Sequence, residues 1–396
     1  MKATIGMVLK NIKADCVEWN TQCSVYRPEE IKLRRQMALK AKDLFRSLVS
    51  IFVCPKISGT GTVYLFEGLR NKGYIGAFDR GSVFVIGSHT ERAFAKSKGY
   101  GFIWAFPIEA SVRSEVFRGW GFFALLQLLY WRNVLRGKER VVFFLYEDTQ
   151  PLGSFIVHLA RNLLINTRTV CIQHGYFSAL QHPLRYEGVR SEINFVWDDK
   201  QAQLMGLDPE RTFQIGLPYT AKARPAETLS VVLVGVGAPY GDLVSYAVAL
   251  DAFQAIAQLA ETDLGLDVVY RPHPTESAHP EVIDMLQQRF KSVDVLGKLE
   301  RLNAARSIYV GSVSSLMFEA KQAGHLVVCV EIQDREKPVF DCDLLLAPKA
   351  MDEFVRWARK EMTATPSNAQ GEATEKTSGE THLVRFRKAV AQAKLL

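Results

Sequence analysis

The sequence predicts an α/β protein built from two parallel-sheet domains joined in series. Three observations predict it. The chain has 396 residues, and a single core rarely grows past about 250–300. Short apolar runs alternate with longer helical stretches, and the runs show no polar face, as in strands buried on both sides. The alternation pauses once, around residues 217–230, and then resumes, which marks a linker between two units of the same kind.

Residues 29–49 read as a helix, followed by strands expected at 62–66, 83–86, 102–106, 141–146, 168–172, 193–197 and 212–215. After the polar stretch 221–230 a second series begins, with strands expected at 231–236, 267–270, 292–296, 307–310 and 326–330. Helices at 244–262, 280–290 and 315–323 fill its gaps. The expected domains are therefore 1–217 and 230–362, with the Thr-, Ser-, Glu- and Gly-rich stretch 363–382 as a linker and 383–396 as a basic C-terminal helix. Ligands of such sheets bind beyond the carboxyl ends of the strands, so the expected site is a central cleft faced by both domains.

Hydrophobic residues at 48% and charged residues at 23% exclude a chain disordered throughout. No run of about 18 apolar residues is present, which excludes a conventional membrane-spanning helix. Lys10 and Lys13 interrupt the first apolar stretch before a signal-peptide core develops. The six cysteines, at 16, 23, 54, 171, 329 and 342, form no metal-type pair and are expected as free thiols in a reducing cytoplasm. A net charge of +7 suits anionic substrates or an anionic membrane face. No basic block with interleaved aromatics supports a nucleic-acid partner.

One apolar run, Gly121 to Trp131, precedes Arg132, Arg136, Lys138 and Arg140. It is too short to span a bilayer. It fits either a helix packed on the first sheet or one lying in the membrane interface. The expected location is thus cytoplasmic, with peripheral attachment to the inner membrane as the second possibility.

The segment Tyr270-Arg271-Pro272-His273-Pro274 ends a strand and delivers a guanidinium and an imidazole into a loop stiffened by two prolines. That pairing suits a phosphate or carboxylate. Gly311-Ser312-Val313-Ser314-Ser315 turns from a strand into a helix, where unpaired N–H groups and hydroxyls favour an anion. Glu319 lies one turn on from Ser315 and is a candidate for ribose hydroxyls. Gly235 and Gly237 lie in a turn that lets backbone approach a phosphate, and Asp242 follows as a candidate nucleophile. The third glycine of the dinucleotide fingerprint is missing, which argues against NAD. In the first domain Glu147 and Asp148 follow a buried strand, and His174-Gly175 follows another. These are the candidate general bases. Asp341-Cys342-Asp343 matches a metal motif in letters only and reads as structural. No metal and no cofactor are expected.

Arg271-Pro272-His273-Pro274, followed some forty residues later by Ser314-Ser315, resembles the HP and SS motifs of bacterial sialyltransferases and polysialyltransferases. It is similar also to Kdo transferases and to the donor-gripping region of CDP-glycerol phosphotransferases. The resemblance covers mainly residues 140–330. It implies a GT-B fold of two Rossmann-like domains, with His273, Ser314 and Ser315 on the donor phosphate and the acid after the first-domain strand as base. Where sialyltransferases carry Gly after the acid pair, this chain has Thr149. The expected function is a metal-independent glycosyltransferase that moves an acidic sugar, sialic-acid-type or Kdo, from a CMP-activated donor to a capsule or lipopolysaccharide glycan. The glycan acceptor is expected to be lipid-linked. The alternatives are a CDP-glycerol-type phosphotransferase, a UDP-sugar transferase, a nucleotide-sugar epimerase or a non-catalytic nucleotide-binding module.

Overall fold

A computed structural model of the chain describes residues 57, 60–104, 129–148, 151–163, 166–173, 175, 179–180, 190–236, 243–312, 314–332, 336–337, 340–347, 350–363 and 381–396. The described chain divides into two compact units, one of residues 1–174, 185–218 and 381–396, the other of residues 175–184 and 219–380. Each is a Rossmann-like α/β layer, the fold class that the alternation predicts.

In the first unit the strands are β1 (Thr62–Glu67), β2 (Val83–Gly87), β3 (Gly101–Trp104), β4 (Arg140–Leu145) and β5 (Thr167–Ile172). The short β6 (Ala179–Leu180) belongs to the second unit, and β7 (Ile193–Val196) and β8 (Thr212–Gln214) return to the first. The order across the sheet is β3-β2-β1-β4-β5-β7-β8, and every pairing is parallel. Its helices are α1 (Lys72–Ile75), α2 (His89–Lys98), α3 (Pro151–Leu163) and α4 (Asp199–Leu204). Local chemistry sets their ends. Ser88 and Glu91 form a reciprocal capping box at the start of α2, and Gly99, at φ +73°, closes it.

Val141 to Leu145 are all buried, because helices and loops cover both faces of a parallel sheet. Tyr130 and Trp131 join that core, with Trp131 edge-on to Phe143 at 5.6 Å. The rest of the apolar run, residues 121–128, lies outside the described residues, as do residues 1–50 and 105–106.

The second unit has β9 (Val231–Val234), β10 (Val268–Arg271), β11 (Ile308–Gly311), β12 (Leu326–Val330), β13 (Glu336–Lys337) and β14 (Leu344–Leu346). Its main sheet runs β10-β9-β11-β12-β14, all parallel, while β13 pairs antiparallel with β6. The helices are α5 (Leu243–Asp263), α6 (Pro274–Ser277), α7 (Pro280–Arg289), α8 (Lys298–Leu302), α9 (Ser315–Ala323) and α10 (Met351–Thr363).

One expected strand is not formed. Residues 292–296 make a single bridge, Val293 to Tyr270. Asp294 then accepts the Leu296 N–H at 2.9 Å and binds Arg301. Those contacts turn the chain away from the sheet and leave Val295 and Leu296 exposed.

The C-terminal helix, His382–Gln392, belongs to the first unit. Phe386 stacks on Tyr74 at 4.6 Å and meets Phe195 edge-on at 5.4 Å. Its basic residues are partly spent on the fold. Arg387 donates to the Ala77 carbonyl at 2.7 Å and Arg385 to that of Ile215. Among the described residues no helix is long and apolar enough to cross a membrane.

Candidate functional site

The order of strands locates the candidate sites. In each sheet the order reverses between two neighbours, β1 and β4 in the first unit and β9 and β11 in the second. Connections leave such a pair towards opposite faces, so a crevice opens beyond their carboxyl ends. In the second unit Arg271, Val234 and Gly311 lie side by side in register at that end. The loops that leave these three residues are the Arg-Pro-His-Pro loop, the Gly235 turn and the Gly311–Ser315 turn. Three motifs separated in sequence therefore meet at one edge of one sheet.

His273 caps the short α6. Its Nδ1 accepts the Thr275 N–H at 3.2 Å and lies 2.7 Å from the Thr275 hydroxyl. An Nδ1 that accepts leaves the proton on Nε2. Burial, and then the charge of Arg271, hold the imidazole below its ordinary value, so at neutral pH it is an uncharged Nε2–H donor. Pro274 supplies the first position of α6, where its missing N–H costs nothing.

Arg271 is half-buried, and its Nε is buried with no hydrogen-bond partner. Burial, then Arg301, lower its pKa. Among the described residues, two cations of the second unit are matched by acids. Arg301 is bound to Asp294, and Lys298 reaches Glu319 at 2.5 Å. Tyr309, buried on β11, is pushed up to about 12 by its burial.

Ser314 is the N-cap of α9, yet its side chain makes no capping bond, and its Oγ is buried without a partner. Ser312 and Ser315 are half-buried on either side. A helix N-terminus with an unspent hydroxyl, at the same sheet edge as a guanidinium with an unspent Nε, is a set of donors with no acceptor of its own. Gly311 is required by packing. A Cβ there would lie 3.0 Å from the Met317 sulfur and 3.1 Å from the Val234 Cβ. Gly235 is tighter still, since a Cβ would come 2.1 Å from Glu276 Oε2 and 2.6 Å from the His273 N.

Glu319 is 1% exposed and takes Tyr219 and Lys298 as partners. Sequence reasoning did not single out Glu276, which is fully buried and bonded to the His273 backbone. The available signal was spacing, since Glu three residues after a cap completes a capping box.

In the first unit Glu147 and Asp148 follow β4, at the reversal point of that sheet. Both are buried. Asp148 accepts the N–H groups of Arg190 and Ser191 at 2.8 and 2.6 Å, which anchors the turn before β7. Gly153 of α3 packs against this loop, where a Cβ would lie 2.0 Å from the Glu147 carbonyl oxygen. Arg70, from the loop after β1, lies over the Tyr146 ring at 5.0 Å. His174, Gly237 and Asp242 lie outside the described residues.

Among the described residues no three His, Cys, Asp or Glu side chains gather as a metal site. Asp343, the second acid of the Asp-Cys-Asp triplet, pairs with Lys321 at 2.5 Å and accepts the Val327 N–H at 2.7 Å.

No protein-family profile matches the sequence, and no curated protein sequence does. Solved structures are similar. The UDP-GlcNAc 2-epimerase of Methanocaldococcus jannaschii aligns at 13% identity over 77% of this chain and 94% of its own, with a TM-score of 0.46. The lipopolysaccharide outer core galactosyltransferase WaaB aligns at 11% over 84% and 99%, with a TM-score of 0.48. The calicheamicin glycosyltransferase CalG4 aligns at 15% over 84% and 94%, with a TM-score of 0.41.

Proposed function

We propose that the protein is a glycosyltransferase whose second unit holds a CMP-activated acidic sugar by its phosphate. The single observation that carries this is the set of unspent donors at the β9–β11 reversal point: Arg271 Nε, Ser314 Oγ and the N-terminus of α9, with His273 beside them. The charge balance favours one phosphate over two. Asp294 matches Arg301 and Glu319 matches Lys298. Arg271 is left as the one guanidinium of this group with no carboxylate partner among the described residues. One positive charge plus neutral donors suits the single negative charge of a phosphodiester.

In this reading Glu147 takes the proton of an acceptor hydroxyl, whose oxygen attacks the anomeric carbon. The bond from that carbon to the CMP phosphate oxygen breaks. Arg271, His273 and the α9 N-terminus stabilise the charge that grows on the departing phosphate. A surface glycan, lipid-linked at its far end, is the acceptor proposed. The resemblance of the HP and SS motifs supports an acidic donor sugar of the sialic-acid or Kdo class.

Thermal denaturation with CMP, CDP and UDP tests the donor side. A ligand that binds only the folded state raises the melting temperature by mass action. CMP is expected to stabilise the wild type most, and His273→Ala to remove most of that shift, over and above a modest drop in the unliganded melting temperature from the lost cap of α6. A larger shift with CDP or UDP points to the phosphotransferase or UDP-sugar alternatives. No shift with any of the three overturns the reading.

A further inference from the structure

One carboxylate stands behind the whole Arg-Pro-His-Pro loop. Glu276 is fully buried. Its Oε2 accepts the backbone N–H of His273 at 2.5 Å, and its Oε1 accepts the hydroxyls of Tyr246 and Tyr270, each at 2.9 Å. Those three donors sit on three different elements: the cap of α6, the helix α5 and the strand β10. Oε2 also occupies the space that a side chain at residue 235 would need, so a fourth element, the turn after β9, is packed against the same atom.

A buried carboxylate is costly unless hydrogen bonds satisfy it, and here three donors do so. Burial raises its pKa, and the same burial raises those of the two tyrosines, so both hydroxyls keep their protons and remain donors at neutral pH. The arrangement fixes the backbone of His273 from below, while Thr275 fixes the ring from the side.

We infer that Glu276 is the positioning residue of the phosphate loop: its carboxylate holds His273 so that the Nε2–H is presented to the nucleotide phosphate. Glu276 itself touches no ligand. It acts through His273. The inference rests on the nucleotide-binding reading of this site, but it has a readout of its own in the imidazole.

The test is a double-mutant cycle on CMP affinity, joined to ¹⁵N spectra of the His273 ring. Glu276→Ala removes the acceptor from three buried donors and is expected to weaken CMP binding by about tenfold. Glu276→Gln keeps a carbonyl for the His273 N–H and is expected to lose no more than about threefold. In a His273→Ala background, Glu276→Ala is expected to cost nothing further, because its effect passes through the missing ring. A loss that simply adds in that background overturns the inference.

In the wild type at neutral pH the ring is expected as the Nε2–H tautomer, and in Glu276→Ala as a mixture of tautomers. An unchanged tautomer also overturns it. If Glu276→Ala does not fold, Tyr246→Phe carries the same cycle, since it withdraws one of the donors that fix Oε1. A wild type that binds no CMP sinks the nucleotide reading, and the ring spectra then still decide whether Glu276 governs His273.

Discussion

Asp148 spends one carboxylate oxygen on the fold. Its Oδ2 takes two backbone N–H groups from residues 190 and 191, so Asp148→Ala strands one buried and one part-buried donor. A loss of about 1–3 kcal/mol in stability is expected, measured by urea denaturation. Glu147→Gln is expected to lower turnover by about 10²–10⁴ with CMP affinity unchanged, and full activity in that variant removes Glu147 from the mechanism. A second residue-scale contrast lies in the thiols. Cys329 is buried on β12, while Cys342 is half-exposed. A hydrogen bond from the Cys329 thiol lowers Cys342 to about 7, whereas sharing its proton with Cys342 pushes Cys329 up. Iodoacetamide is therefore expected to label Cys342 of the folded protein with a midpoint near pH 7 and to spare Cys329. Equal labelling of the two sulfurs overturns that assignment.

At the level of elements, a tightly constrained contact lies between the turn after β9 and the loop after β10. Gly235→Ala puts a methyl group within 2.1 Å of Glu276 Oε2 and 2.6 Å of the His273 nitrogen, both held by hydrogen bonds. The variant is expected to lose CMP binding and to melt lower, by the cost of overpacking, about 1–3 kcal/mol. The sequence showed this region in part. The runs 231–236 and 267–270 read as buried strands because no polar residue interrupts them, and β9 and β10 follow. The Pro-flanked Arg and His read as a fixed loop because proline restricts the backbone on its own. Glu276 was hidden, since its value depends on Tyr246, thirty residues away and placed only by α5. Residues 292–296 read as a strand from their apolar letters, and the competing fact, Asp294 turning to Arg301, is a tertiary contact. Strand β14 was missed for the opposite reason: three residues, one of them exposed, leave too little pattern to read.

For the whole molecule, three histidines bias stability in one direction. Burial is the leading cause that holds His273, His325 and His382 below the usual imidazole value. Each binds a proton more readily in the unfolded chain, so this stability is complete above about 6.5 and is lost as pH falls through the folded values. Glu276, raised by burial, works the other way from its ordinary 4.5 upward, so the comparison is made by variant. His325→Gln is expected to show a shallower rise in melting temperature between pH 5 and pH 7 than the wild type, and an unchanged slope contradicts the assignment. The sequence pI of about 9.0 and the lipid-linked acceptor proposed above predict salt-sensitive binding to anionic vesicles. No co-sedimentation at low salt overturns that expectation. The return of the C-terminal helix to the first unit has a consequence for synthesis. Phe386 fills the aromatic cluster of Tyr74, Phe144 and Phe195, yet it is translated after every residue of the second unit. On the ribosome the second unit can therefore finish folding first, while the unit begun earlier waits, with Tyr74, Phe144 and Phe195 missing one ring of their cluster, for a segment that has not yet been made.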